Sequence, residues 1–272
     1  MVKIAFQGER GAFSEDAVIK LFGEGVDFSP CAHLRDVFQA VLEDKVNFGV
    51  VPVENSQAGS INETYDLLLA YPLNIFAEVI LRISHCLMAL PGEKLTDIRT
   101  LYSHPQALAQ CEEFLTKLKV EIVPSYDTAG SAKMIKENQW EGVAAIASRR
   151  AAAIYGLDIL RPQIETNVNN YTRFFAIAKQ KAKPVKRNKT SLVFSVKHIP
   201  GALYKVLGIF ATKNINLTKL ESRPSKSKPW EYVFYVDFEG HLDDEIYQEA
   251  IKELRREVTF VKILGSYPQA KQ

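Results

Sequence analysis

The sequence predicts an α/β protein of two lobes around a cleft, followed by a smaller domain of βαββαβ order. Three observations carry this. Short apolar runs alternate with amphipathic stretches over residues 2–178. A sixteen-residue apolar segment at 75–90 is too long for one strand. A basic stretch at 181–189 then separates this pattern from a second one. The 272 residues suffice for two domains, and 47% hydrophobic with 24% charged residues suits a globular chain with a sizeable core.

The elements follow in order. Val2 to Phe6 is β-rich and ends in Gly8 and Gly11. Ser14 suits the cap of the next helix, with Glu15 and Asp16 in its first turn, an apolar stripe of Ala17, Val18, Leu21 and Phe22, and Gly23 as its stop. Leu34 to Asp44 is a second amphipathic helix, and Phe48 to Val53 reads as a buried parallel strand. Asn62 to Tyr71 is a third helix. The segment IFAEVILRISHCLMAL at 75–90 reads as two strands in tandem or as one segment crossing between lobes. Beyond it the spacing predicts a helix near 105–118, a strand at 120–123, a helix at 128–138, a strand at 143–147, a helix at 148–155 and a final strand from Phe174 to Ala178. KAKPVKRNK at 181–189 reads as a solvated linker. After it come a strand at 190–196, a helix at 201–214, strands at 215–224 and 230–240, a helix from Asp243 to Glu257 and a strand at 258–267. That order is the ferredoxin-like arrangement. The domain limits so drawn are 1–182, in lobes of about 1–78 plus 168–182 and 79–167, then a linker at 183–189 and a second domain at 190–272.

Net charge is +2, from 34 basic and 32 acidic residues, so the chain has no global pull on nucleic acid or an anionic membrane. No stretch approaches the ~18 apolar residues of a membrane span. The start, MVKIAFQGERGAF, has no apolar run of signal length, so a cytoplasmic location is expected. Cys31, Cys86 and Cys111 are odd in number and widely spaced, which suits reduced thiols there. His33, His85, His104, His198 and His241 form no metal-ligand spacing. GxGxxG, GxxxxGK[ST] and GxSxG are all missing, so a nicotinamide enzyme, a kinase or a serine hydrolase would lack its usual parts.

Four polar clusters remain, each at the end of an apolar strand: Gly11-Ala12-Phe13-Ser14, Pro52-Val53-Glu54-Asn55-Ser56, Ser103-His104-Pro105-Gln106 with Gln110, and Asn169-Asn170-Tyr171-Thr172-Arg173-Phe174. Each has a structural reading as caps, turns or β-branched strand residues. All four also sit where an α/β cleft places ligand groups.

The clusters resemble the motifs of prephenate dehydratases: GxxGAFSE at 8–15, VPVENSxxG at 51–59, YSHPQALAQC at 102–111 and NYTRF at 170–174. The last domain is similar to the ACT regulatory module of that family, with GALYKVL at 201–207 and ESRP at 221–224. The chain departs from the family pattern at Glu9, where proline is often found, at Ala12 for threonine and at Asp127 for serine.

The resemblance implies a periplasmic-binding-protein-like catalytic domain joined to an ACT domain. It implies a hydro-lyase that converts prephenate to phenylpyruvate in phenylalanine biosynthesis without a cofactor or metal. It assigns catalysis to Thr172 and substrate contacts to Glu54, Asn55, Ser56, Ser103, His104, Gln110, Arg173 and Phe174. On a regular strand, Thr172 and Phe174 face one side and Arg173 the other; on a bent one, the Arg173 guanidinium can fork onto a substrate carboxylate. The sequence leaves both open. The resemblance also places L-phenylalanine, as feedback inhibitor, at Gly201, Ala202, Leu203, Glu221, Ser222, Arg223 and Pro224, between modules paired in a homodimer or homotetramer. Gly201 and Ala202 open a helix, whose free N–H groups suit a carboxylate. Two other readings stay open: an arogenate dehydratase, whose substrate carries an amino group in place of the keto group, and a non-catalytic hinged receptor for a small molecule. The start of the chain leaves no room for an N-terminal chorismate mutase, so a monofunctional enzyme is expected.

Overall fold

The computed structural model describes residues 1–225 and 231–270. The first lobe holds β1 (Lys3–Gln7), α1 (Phe13–Phe22), β2 (Asp27–Cys31), α2 (Leu34–Leu42), β3 (Phe48–Asn55), β4 (Gly59–Ser60), α3 (Asn62–Ala70) and β5 (Asn74–Arg82). The second holds β6 (Cys86–Ala89), β7 (Thr100–Ser103), α4 (Pro105–Gln110), α5 (Glu112–Leu115), β8 (Glu121–Pro124), α6 (Thr128–Asn138), β9 (Val143–Ala147), α7 (Arg149–Tyr155) and β10 (Asp158–Arg161). The chain then returns to the first sheet as β11 (Tyr171–Ala178) and continues as β12 (Asn188–Ser195), α8 (Ala202–Thr212), β13 (Leu217–Pro224), β14 (Tyr232–Glu239), α9 (Glu245–Glu257) and β15 (Phe260–Pro268).

Three sheets result, in the orders β2-β1-β3-β11-β5, β10-β6-β9-β7-β8 and β13-β14-β12-β15. β1 pairs in parallel with β2 and β3, and β7 in parallel with β8 and β9, so their carboxyl ends point the same way within each lobe. The third sheet is antiparallel, with its two helices packed on a core that includes Leu192, Phe194, Val206, Phe210, Phe238 and Leu254. Its order is that of a ferredoxin-like domain.

Contacts divide the chain into two compact units, Met1–Thr64 with Val79–Phe174 and Tyr65–Glu78 with Phe175–Gln272. Inside the second unit the carboxyl half of α3 lies against the β15 and β13 strands. Lys262 donates to the carbonyls of Leu68, Leu69 and Tyr71 at 2.9, 2.8 and 2.7 Å, ending the helix with a cation where its dipole favours one. Arg223 pairs with Asp66 at 3.2 Å.

The segment 75–90 forms two strands in tandem, β5 and β6, that belong to different sheets, in line with both readings of it. Several element-level expectations are corrected. The helix expected over 105–118 breaks at Cys111, whose φ of −110° is not helical. Ser14 is not a cap; it is buried inside α1, and Ala12 holds the cap position without a side-chain bond. β2 and β10 were not foreseen. The linker is shorter than drawn, since β12 starts at Asn188. Trp230, at the start of the expected 230–240 strand, and Lys271 and Gln272, at the end of the last domain, lie outside the described residues.

Candidate functional site

β1, β3, β7 and β8 end on one cavity of about 320 Å³ within the first unit. That is the size of a small-metabolite site. Gly11 brings its two walls together. Its φ is +87°, and a Cβ there would stand 2.7 Å from Cα of Ala151 on α7. Ser148 donates to the Gly11 carbonyl at 2.6 Å, Tyr155 to that of Arg10 at 2.9 Å, and Arg150 pairs with Asp16 at 2.7 Å. The close backbone approach is the reason for glycine at this point.

The polar heart of the cavity is a directed chain of hydrogen bonds. Asn55 ends β3, and its Oδ1 accepts from the backbone of Gln57 and Ala58, both at 3.0 Å. This fixes the amide, so its Nδ2 donates: to Asn170 Oδ1 at 2.7 Å and to Thr172 Oγ1 at 2.9 Å. Asn170 Nδ2 in turn donates to Gln110 Oε1 at 2.9 Å. His85 Nε2 lies 2.9 Å from the same oxygen and therefore carries the proton, leaving Nδ1 as a buried acceptor without a partner among the described residues. Burial pushes the His85 pKa down, against smaller upward effects of Gln110 and Glu165, and the edge of the Phe13 ring packs on the imidazole at 5.4 Å. Thr172 accepts from Asn55 and has no protein acceptor for its own proton among the described residues, so that proton is available to a ligand.

The rest of the cavity is apolar or helical. Leu34, Pro52, Ile61, Ile83 and Phe174 form dry walls. α1, α2 and α6 begin at the cavity, at Phe13, Leu34 and Thr128. The positive ends of their dipoles therefore lie at it. Among the described residues, no lysine or arginine lines it. No group of three or more His, Cys, Asp or Glu is placed to hold a metal ion among the described residues.

The structure brings Thr172, Asn55, His104, Gln110 and Phe174 to this cavity and places the other site expectations elsewhere. Ser103 is fully buried and donates to the Ile146 carbonyl at 2.7 Å, so it holds β7 against β9. Ser56 fastens the start of β11, accepting from Tyr171 N at 2.9 Å and donating to Asn169 O at 3.1 Å. Glu54 and Arg173 approach each other at 3.9 Å and neither lines the cavity. The regular-strand alternative for β11 thus holds, with Thr172 and Phe174 inward. His85 and Asp127 line the cavity and were not among the expected contacts, while Asn170, part of an expected cluster, lies in the amide network behind it. A lone histidine inside the apolar run 75–90 was the available signal for His85.

A second cavity, of about 490 Å³, lies in the last domain, walled by 196–204 with Glu231, Tyr232 and Phe234. Gly201, Ala202 and Leu203 line it. Gly201 has φ +80°, and a Cβ on it would meet nothing within 4 Å. Glu221, Ser222, Arg223 and Pro224 lie away from it on edge strand β13. There Glu221 pairs with Lys219 at 2.9 Å and Arg223 with Asp66. One chain alone does not bring the two halves of the expected effector site together.

The sequence matches the family model for prephenate dehydratase over residues 4–182 and that for the ACT domain over 190–256. It is 44% identical over 278 residues to arogenate dehydratase/prephenate dehydratase 2 of Arabidopsis thaliana, covering 98% of this chain and 73% of that one. It is 42% identical over 272 residues to the bifunctional chorismate mutase/prephenate dehydratase of Aquifex aeolicus, covering 99% and 74%. Among solved structures, the prephenate dehydratase of Arthrobacter aurescens in complex with L-Phe superposes with a TM-score of 0.89 at 31% identity, over 98% of this chain and 90% of that one. A protein described as GqqA, a quorum quenching acylase, superposes with a TM-score of 0.88 at 36% identity, over 98% and 97%.

Proposed function

The chain belongs to the prephenate dehydratase family, and on that premise we propose that its first cavity converts prephenate to phenylpyruvate, carbon dioxide and water. The ring carboxylate leaves as CO₂, and the pair of the broken C–C bond enters the ring. The C4–O bond breaks, the oxygen departs with its pair and takes up a proton to become water, and the ring becomes aromatic. The protein has to orient a dianion, stabilise the departing oxygen and keep water from the ring carboxylate.

The carrying observation is the Thr172 hydroxyl. Its oxygen already accepts from Asn55, so its proton points away from the amide network and meets the leaving hydroxyl. A threonine is too weak an acid to give up that proton, so its role is a hydrogen bond that strengthens as charge develops on the oxygen. The helix N-termini receive the two carboxylates without a cation, and Phe13, Ile83 and Phe174 desolvate the ring. A hydrolytic reading of the acylase named for one structural neighbour would need a base on a hydroxyl nucleophile; here Thr172 is held by an amide, and His85 by Gln110.

The ACT domain supplies feedback by L-phenylalanine, the ligand named in the Arthrobacter aurescens structure. Cavity residues 201–203 of one module would face ESRP of another, so regulation requires a homodimer or a larger assembly. No helix among the described residues is long and apolar enough to cross a membrane, and a cytoplasmic setting suits the reduced cysteines. The deciding experiment is turnover of prephenate by the purified chain, followed by phenylpyruvate absorbance in alkali. Phenylpyruvate formation supports the reading; prephenate that binds without turnover would leave a receptor in its place.

A further inference from the structure

We propose that a third cavity, built around His241, binds a small monocarboxylate with a short apolar body, at a site separate from both the catalytic cavity and the one walled by 196–204.

This cavity measures about 370 Å³ and lies inside the second unit. There the turn at 241–243 and the second half of β15 meet the start of β5 and the segment that follows β11. The walls are firmly set. β15 comes so close to β5 that a Cβ on Gly265 would overlap the Ile75 backbone.

The chemistry starts from His241, which is buried. Its Nδ1 accepts from the backbone N–H of Asp243 at 3.1 Å, so the ring proton sits on Nε2. That N–H is buried and has no acceptor among the described residues. A buried donor left unpaired is costly, and a ligand oxygen that accepts from it removes the cost. The ring cannot easily turn to find another partner, because its turn is pinned on both sides. Asp244 N donates to the His241 carbonyl at 3.1 Å, and Thr190 Oγ1 donates to that of Gly240 at 2.9 Å. The neighbouring hydroxyl is already matched. With the Thr190 proton spent on Gly240, Ser266 donates to Thr190 at 2.7 Å and accepts from Leu242 N at 3.3 Å.

Lys181 lines the same cavity from its exposed side, and no ion pair holds its ammonium among the described residues. Asp243 also lines it, but its carboxylate is 68% exposed and stays in water. Ile75, Ala182, Leu242 and Ile263 make the remaining wall apolar. One buried N–H, one ammonium and a hydrocarbon wall match a single carboxylate on a short apolar chain. Inorganic phosphate has no apolar part to cover that wall.

The test is calorimetric titration of the intact protein with 3-methylbutanoate, with the uncharged 3-methylbutanamide as control. It reads binding, so its outcome is independent of prephenate turnover. The proposal predicts one saturable site per chain with Kd below about 10 mM, reasonable for so small a ligand, and at least about fivefold weaker binding of the amide. His241→Asn keeps an acceptor for Asp243 N and removes the Nε2 donor; Kd should rise at least about tenfold, the effect of one lost hydrogen bond to a charged group. Lys181→Met, on an exposed side chain that leaves the fold intact, should raise Kd about two- to fivefold, the range of an exposed ion pair. It decides the matter with the amide if the His241 variant does not fold. No saturable binding below about 10 mM overturns the proposal and leaves the cavity to water. Binding that Lys181→Met leaves unchanged, or that the amide matches, also overturns it, since the carboxylate would then sit elsewhere or its charge would go unread.

Discussion

Asn55 Nδ2 lies 2.9 Å from Thr172 Oγ1, and two backbone donors at 3.0 Å on the other end of the same amide fix which atom faces the threonine. Asn55 therefore sets the direction of the Thr172 proton. Asn55→Asp keeps the shape and replaces this donor by an acceptor, which captures the proton meant for substrate. Steady-state kinetics should show kcat lowered about 10²–10³-fold, the range for one lost oxyanion donor, with KM changed much less. Adding Thr172→Val should lower kcat little further, because both changes remove one interaction. Full additivity would show that Asn55 acts independently.

His85 titrates against the fold. Burial lowers its pKa, so the unfolded chain binds the proton first as pH falls. Stability is then complete above the ordinary imidazole value of about 6.5 and is lost progressively below it. His85→Gln keeps a donor for Gln110 and removes the titration. Melting temperatures of parent and variant over this range should diverge on the acid side, the parent falling faster; parallel curves would contradict the assignment.

The sequence was most legible where a local rule governs the outcome. Alternating runs placed the lobes and the βαββαβ domain, and polar clusters at strand ends pointed to the cleft. β2 escaped because DFSPC has neither apolar alternation nor freedom from proline; as an edge strand it pairs on one side only, where proline is tolerated. Ser103 shows the limit of the strand-end cue. It ends β7 as Asn55 ends β3, but it turns toward Ile146, and which way such a residue faces depends on tertiary packing. His85 and Asp127 reach the cavity, and Asn170 the amide network behind it, from three separate segments, a convergence that spacing along one chain does not encode. Arg223 was expected at an effector and meets Asp66 of its own chain, an aspartate 157 positions away.

Lys262 is a second charge whose role packing decides. Its ammonium holds three carbonyls at the end of α3. Lys262→Met keeps the stem and removes the donors. Denaturant unfolding should show a loss of about 1.5–3 kcal/mol, the range for hydrogen bonds to a charged group. An unchanged midpoint would show that water satisfies the carbonyls equally well.

Gly201 tests the regulatory reading. Asparagine tolerates its left-handed backbone and adds a side chain at a point where a Cβ meets no protein atom. In Gly201→Asn, the L-phenylalanine concentration for half inhibition should rise about tenfold, equivalent to 1.4 kcal/mol, with uninhibited kcat near that of the parent. Unchanged inhibition would move the effector elsewhere.

The central claim is that the free proton of Thr172 assists departure of the ring hydroxyl, and the rate of phenylpyruvate formation from saturating prephenate by parent and Thr172→Val tests it most directly. The substitution keeps the β-branched shape and leaves Asn55 Nδ2 its bond to Asn170, so the fold should persist with a nearly unchanged melting temperature. The account predicts a kcat lower by about 10²–10⁴-fold, the range for positioned proton-transfer assistance. A folded Thr172→Val enzyme with kcat near that of the parent would contradict it.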